Sequence, residues 1–312
     1  MMKCIFFLLG ILIPISCAER YRGTHLQAAV HCSRRTKTSD APDLREIYLW
    51  TLKNSLTGML LQTPSYQAYV SAMNTADMPV YNESVRSVGR DWPLYGLTMV
   101  GIKRLDNLQK LITTILANNV AGDFVECGVW RGGSSIFMRG VLKAYNSLDR
   151  VIHLVDSFDG LPPASTPEDE DIWSQVNFLK VPQDTVEDGF SRYHLLDNQV
   201  QFHKGFFRHS LPRFRKNFGD RKIALLRMDG DMYESTMDIL FNLADVLAPG
   251  ACIVVDDWVI EACQKAMKEF FDMHNMRPEI IPIDNDAVYF CLDESVDLKM
   301  AWYERFNKKR SP

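Results

Sequence analysis

The sequence predicts an α/β fold: a mostly parallel seven-stranded sheet with one antiparallel edge strand, flanked by helices and preceded by an N-terminal helical extension. Three observations predict it. Beyond residue 122, short β-rich runs alternate with stretches of helical periodicity, the pattern of parallel strands joined by crossover helices. The first run, DFVECG, enters a turn with glycines at 128, 132 and 133, and later runs end in clustered acids. The last two runs, EIIPID and AVYFCLD, lie close together around Asn285, as in a hairpin.

Taken in order, residues 1–18 carry Lys3, an apolar run from Ile5 to Ile15 and small residues around Ala18, the pattern of a secretory signal peptide. The run is shorter than the roughly 20 residues that span a bilayer, so a retained anchor is the weaker alternative. The expected location is the secretory pathway. Residues 19–42 read as a flexible basic stem, with Arg20, Arg22, Arg34, Arg35 and Lys37 against Glu19 and Asp40. The sequon Asn82-Glu83-Ser84 is consistent with that route. Without Cys4 and Cys17 five cysteines remain (Cys32, Cys127, Cys252, Cys263, Cys291), an odd number that cannot all pair within one chain. Cys127 and Cys252, in apolar runs, read as small buried hydrophobes, and any pairing is left open.

Residues 43–120 are expected to form a helical cap on the substrate side. One helix is predicted over 43–62 with Leu44, Ile47, Tyr48, Leu52, Leu56 and Leu60 inward, and another over 98–118 with Met99, Ile102, Leu105, Leu108 and Leu111 inward. These faces could cover the sheet domain or serve a contact between copies in a homo-oligomer. The sheet domain spans 121–295, and 296–312 reads as a C-terminal tail. Within the domain, Gly160 to Val181 is long for a βα connection and carries three prolines beside the acidic run Glu168 to Asp171, which suits a substrate loop.

Composition limits the partners. A 312-residue chain that is 46% hydrophobic and 24% charged can bury a substantial core. Its formal charge of -4 offers no basic field to hold nucleic acid. A small-molecule or glycan acceptor is the expected partner.

The chemistry concentrates in three places. Glu126-Cys127-Gly128-Val129-Trp130-Arg131-Gly132-Gly133-Ser134 sets glycines between a strand and a helix, where backbone can approach a ligand closely. The spacing is not the dinucleotide fingerprint. Asp156, ending the second strand 28 residues beyond Gly128, is suited to accept ribose hydroxyls, with a turn or cap as its alternative role. Finally, Asp229 in LLRMDGDMYEST and Asp256 and Asp257 in IVVDDW end adjacent strands and would converge on one crevice. Carboxylates so close repel unless a cation lies between them, and an all-oxygen set favours Mg2+. Asp231 and Glu234 fall near the next helix start, where negative charge suits the macrodipole.

The acid-x-Gly-x-x-x-Gly turn resembles motif I of the class I S-adenosylmethionine-dependent methyltransferases. With DWPLYGLTMVGIKRLDNL, LVDSFDGLP and DTVEDGFSRYHLLDNQVQFHKGFF, the chain from about 78 to 292 resembles the macrocin O-methyltransferase family. The resemblance implies S-adenosylmethionine and Mg2+ as cofactors and methyl transfer to a sugar hydroxyl. It assigns Asp229, Asp256 and Asp257 to the metal; the chemistry of activating a hydroxyl makes Asp229 the expected proton acceptor as well. Glu126, Gly128, Trp130, Gly132, Ser134, Asp156 and Ser157 go to the cofactor, and Trp92, Tyr95 and Met99 to the substrate side. A signal peptide and His209, where the family pattern suggests an acid, depart from it and leave the macrolide substrate untransferred. A catechol-like acceptor, or a secreted binding protein on the same fold, are the alternatives.

Overall fold

In a computed structural model of the chain, residues 43–66, 81–171 and 173–310 are described. The expected signal peptide, the basic stem and Cys4, Cys17 and Cys32 lie outside the described residues.

Seven strands form one sheet: β1 (Asp123–Cys127), β2 (Ile152–Asp156), β3 (Val200–Lys204), β4 (Ile223–Met228), β5 (Leu247–Val255), β6 (Ile281–Pro282) and β7 (Val288–Cys291), in the order β3-β2-β1-β4-β5-β7-β6. Strands β1 to β5 pair in parallel, and β7 runs antiparallel between β5 and the two-residue edge strand β6. The predicted hairpin is the β6–β7 pair, so the antiparallel strand lies second from the edge. Strand order reverses between β1 and β4, whose carboxyl ends therefore open a crevice.

Residues on β1 alternate between two cores. Val125 and Cys127 join the cluster shared with α6 (Phe207–Phe218), α7 (Tyr233–Leu243) and α8 (Glu261–Met273), while Phe124 joins the cluster on the opposite face. That second core is built with α1 (Leu44–Leu56), α3 (Gly101–Ala117), α4 (Gly133–Ala144) and α5 (Gln183–Arg192). The short helix α2 (Glu83–Ser87) precedes α3, and Asn82 of the sequon caps it by accepting from the Val85 N–H at 3.3 Å. No helix among the described residues is long and apolar enough to cross a membrane.

Three expectations are corrected. Helix α1 ends at Leu56 and buries Leu49, Leu52 and Leu56, whereas Leu44 is 81% exposed and Ile47, Tyr48 and Leu60 face outward too. The helix is apolar on both sides, so periodicity alone could not choose the inner one; Gly140 of α4 does, because a Cβ there would sit 2.3 Å from Leu52 Cδ2. Each leucine so buried contributes about 1.5–3 kcal/mol. Cys252 is not a free thiol: the β5–β7 register sets it opposite Cys291, and the two form a disulfide. The presumed C-terminal tail contains a helix, α9 (Met300–Lys309), whose Tyr303 is buried against Phe241. Beyond it, Arg310 pairs with Asp238 at 2.6 Å and Glu234 at 2.9 Å.

Candidate active site

The turn after β1 is shaped by one close approach. Gly128 has φ 88°, and a Cβ there would lie 1.6 Å from the Asp229 carbonyl oxygen, so only glycine lets this turn rest on the end of β4. Trp130 also takes a left-handed conformation, φ 47°, before α4 begins. Asp156 holds this turn from β2. One carboxylate oxygen accepts the Val129 N–H at 2.6 Å and the Trp130 N–H at 3.4 Å, and the other accepts the Phe158 N–H at 2.7 Å. Burial raises the Asp156 pKa and these N–H groups oppose the rise. The turn role weighed for Asp156 is therefore present, and the residue also lines the cavity above.

Gly128, Trp130, Ser134, Asp156 and Ser157 all face one cavity of about 500 Å³ at the carboxyl ends of the strands. Glu126 and Gly132, expected beside them, do not line it. Gly132 lies under Val186, where a Cβ would meet Cγ1 at 2.6 Å. Glu126 is sealed beneath the floor, bonded to Ser135 and to Arg227 at 2.7 Å. Burial lifts its pKa to about 7 against the pull of Arg227.

The carboxylates arrange themselves differently from the sequence expectation. Asp229, Asp231 and Asp257 each offer an oxygen, all within 4.8 Å of one another. Asp231, read as a helix cap, instead follows Gly230 with φ 58° and donates its N–H to Asp257 Oδ2 at 2.8 Å. The cap of α7 comes from Asp169 in the long loop, which accepts the Tyr233 and Glu234 N–H groups at 2.6 and 3.1 Å. Asp256 lines the same cavity but is engaged by cations: Arg104 of α3 holds one oxygen at 2.5 Å and Arg227 the other at 2.6 Å.

Electrostatics follows from that division. Burial raises Asp229 to about 6, with Arg227 pulling against it and the Asp256 charge adding to it. Asp231 reaches about 7 through burial and then the charges of Asp229 and Asp256. Asp257 is raised well above the usual carboxylate range by burial and then by the charges of Asp231, Asp229 and Asp256. For Asp256, burial is outweighed by Arg104 and Arg227, which hold its pKa low. Three mutually repelling carboxylates with all-oxygen donors fit a hard divalent cation.

Part of the cavity wall is aromatic. Trp92 stacks on Phe178 at 5.4 Å between centroids, and Trp130 donates its indole N–H to the Phe178 carbonyl at 3.0 Å. Trp92 and Met99 line the cavity as expected; Tyr95 does not and is 74% exposed. His209 lies exposed on α6, away from the cavity lining. Arg104, Arg227 and Trp173 also line the cavity, and sequence reasoning did not single them out. An arginine two residues before Asp229, inside an otherwise apolar strand, was a signal for the second of these.

The sequence matches the family described as macrocin-O-methyltransferase (TylF) over residues 45–291. It is 39% identical over 253 residues to 8-demethyl-8-(2,3-dimethoxy-alpha-L-rhamnosyl)-tetracenomycin-C 4'-O-methyltransferase of Streptomyces olivaceus, covering 80% of this chain and 93% of that one. Mycinamicin III 3''-O-methyltransferase of Micromonospora griseorubida is 38% identical, with 78% and 96% covered. Among solved structures, the O-methyltransferase NovP superposes with a TM-score of 0.73 at 36% identity, over 80% of this chain and all of that one. The calicheamicin methyltransferase CalS11, with a TM-score of 0.54 at 19% identity over 89% of this chain and all of that one, shares the fold. Matched by the family over residues 45–291 and 39% identical to a relative across 80% of its length, the chain belongs to the macrocin O-methyltransferase family and is an O-methyltransferase.

Proposed function

We propose that the chain transfers a methyl group from S-adenosylmethionine to a sugar hydroxyl with Mg2+ at the acceptor side. The observation that carries this is the meeting, in one cavity, of the Gly128 turn with the carboxylates of Asp229, Asp231 and Asp257. The cofactor side fits: the missing Cβ at Gly128 lets the turn rest on the end of β4 at the cavity's edge, and Ser134, Asp156 and Ser157 add polar atoms to the same lining. The relatives named for methylating a rhamnosyl tetracenomycin and mycinamicin III support a sugar-bearing acceptor.

Asp229, Asp231 and Asp257 would hold Mg2+, with Asp256 serving as the counter-charge that keeps Arg104 and Arg227 in place. When bound, the ion supplies positive charge that lowers the pKa of an acceptor hydroxyl. The proton acceptor moves from Asp229 to Asp231. One oxygen of Asp229 is tied to Arg227 at 2.9 Å, whereas Asp231 makes no ion pair among the described residues and keeps an oxygen for the proton. The sulfonium donor is already activated, so the remaining task of the protein is to align oxygen, methyl and sulfur and to exclude water.

The secretory pathway is the location we infer. The N-terminal pattern supports it, and so does the Cys252–Cys291 disulfide, since such bonds persist in oxidising compartments. Calorimetric titration of S-adenosylmethionine into the full chain, with and without Mg2+, followed by a transfer screen against methyl glycosides and catechol, tests the reading. Chelator-sensitive transfer to a glycoside is expected. Transfer to catechol alone, or transfer indifferent to chelation, would refute it.

A further inference from the structure

Of the three tryptophans on the cavity, two are already engaged by protein. Trp92 stacks on Phe178, and Trp130 both donates to the Phe178 carbonyl and lies tilted against its ring at 5.5 Å. Trp173 is different. It is 45% exposed, and among the described residues its indole makes no ring contact and no side-chain hydrogen bond, although it lines the same cavity as the carboxylates. An indole left with one wall of the cavity behind it and both a π face and an N–H donor free is unusual, because large aromatic rings are normally covered.

The loop that carries Trp173 is not loose. Asp169 caps α7, Glu168 pairs with Lys265 at 3.1 Å, and Ser165 bonds to Glu234 while accepting from Arg310 Nε at 3.2 Å. Asp171 closes the loop on itself by accepting from the Ala164 N–H at 3.3 Å and the Ser174 hydroxyl at 2.7 Å. On the far side, the Phe178 carbonyl is held by Trp130. The ring is thus presented on a fixed frame, which lowers the entropy cost of using it in binding.

We propose that Trp173 is the specificity-determining platform for the acceptor, taking the apolar face of a pyranose ring against its indole and orienting a hydroxyl toward the carboxylates. This rests on the sugar-acceptor reading above. A pyranose suits the place because its axial C–H face is apolar while its rim is hydroxylated. It covers the exposed indole, leaves polar atoms for the cavity's carboxylates and arginines, and can accept from the indole N–H.

The test compares the wild-type chain with Trp173→Ala and Trp173→Phe, using S-adenosylmethionine, Mg2+ and a panel of methyl glycosides that includes methyl α-L-rhamnopyranoside, with catechol beside them. The expected result is a rise in glycoside KM of roughly tenfold or more in W173A, partly restored in W173F, with kcat changed much less. Calorimetric affinity for S-adenosylmethionine and the melting temperature should stay at wild-type values, which a merely structural tryptophan would not allow. Unchanged glycoside KM in W173A, or an equal loss of cofactor affinity, would overturn the assignment while leaving the sugar reading intact. Wild-type transfer to catechol alone, or to nothing in the panel, would overturn both.

Discussion

Replacing Asp231 with Asn should make the metal-free protein more stable at pH 8 and deaf to Mg2+. The Asp231 carboxyl has a pKa of about 7 in the fold and near 3.8 in the unfolded chain. Such a group favours the native state fully below the unfolded value, and that contribution is lost as pH rises through the folded value. Each tenfold change in proton affinity is worth about 1.4 kcal/mol, so the upper limit for Asp231 alone is roughly 4 kcal/mol. Asp229 and Asp257 share the repulsion and Asp229 keeps 30% of its side chain exposed, so a penalty of about 2 kcal/mol at pH 8 is the working figure. For a domain of this size that is a melting-temperature gain of roughly 4–8 °C in D231N.

The assay is thermal unfolding between pH 6.5 and 8, in chelator and in Mg2+. The lower bound matters because His203, whose pKa burial pushes down to about 4, gives up stability as pH falls from the ordinary histidine value toward 4, and so opposes the carboxylates there. Above it, wild-type stability should fall with pH in chelator and recover by about 2.7 kcal/mol when Mg2+ reaches a hundred times its dissociation constant. D231N should be flatter with pH and gain little from the ion. A wild-type melting temperature that rises with pH in chelator, or a D231N protein that responds to Mg2+ as the wild type does, would refute the reasoning.

Asp256→Asn should behave in the opposite sense, losing about 3–5 kcal/mol of stability because Arg104 and Arg227 lose their counter-charge, while Mn2+ affinity measured by calorimetry falls far less than in Asp257→Asn. Gly128→Ala places a methyl 1.6 Å from a backbone oxygen; a cost of about 3 kcal/mol or more and loss of calorimetric S-adenosylmethionine binding are expected, with near-wild-type affinity as the contrary result. Cys291→Ser opens a disulfide spanning 39 residues and should cost roughly 3–4 kcal/mol in denaturant unfolding, with thiol alkylation of the unreduced wild-type protein labelling neither Cys252 nor Cys291.

The parallel sheet and the Gly128 turn were legible because strand and helix periods alternate plainly and a glycine turn has few other uses. Asp229 and Asp257 were legible as strand-end acids. What could not be read was which way each carboxylate points. Asp256 and Asp257 are adjacent, and only the arrival of Arg104 from a helix 152 residues earlier decides that Asp256 faces a guanidinium. Asp231 was mistaken for a cap because its competitor, Asp169, lies in a distant loop. Helix α1 misled for a related reason: both of its sides are apolar, and the partner that selects one is the bare surface of Gly140. In each case the missing information was a long-range contact, which local pattern does not contain.

Arg310 completes the latch on the long loop by reaching Ser165, 145 residues earlier in the chain. During synthesis from the amino end, the sheet and the Gly128 turn can assemble while this loop still lacks its last fastening. The Gly128 side of the cavity can thus be complete before its Trp173 side. A label or fusion placed after Arg310 would follow directly on the residue that pairs with Asp238 and Glu234 and reaches Ser165, a point that bears on where an affinity tag is put before any acceptor screen.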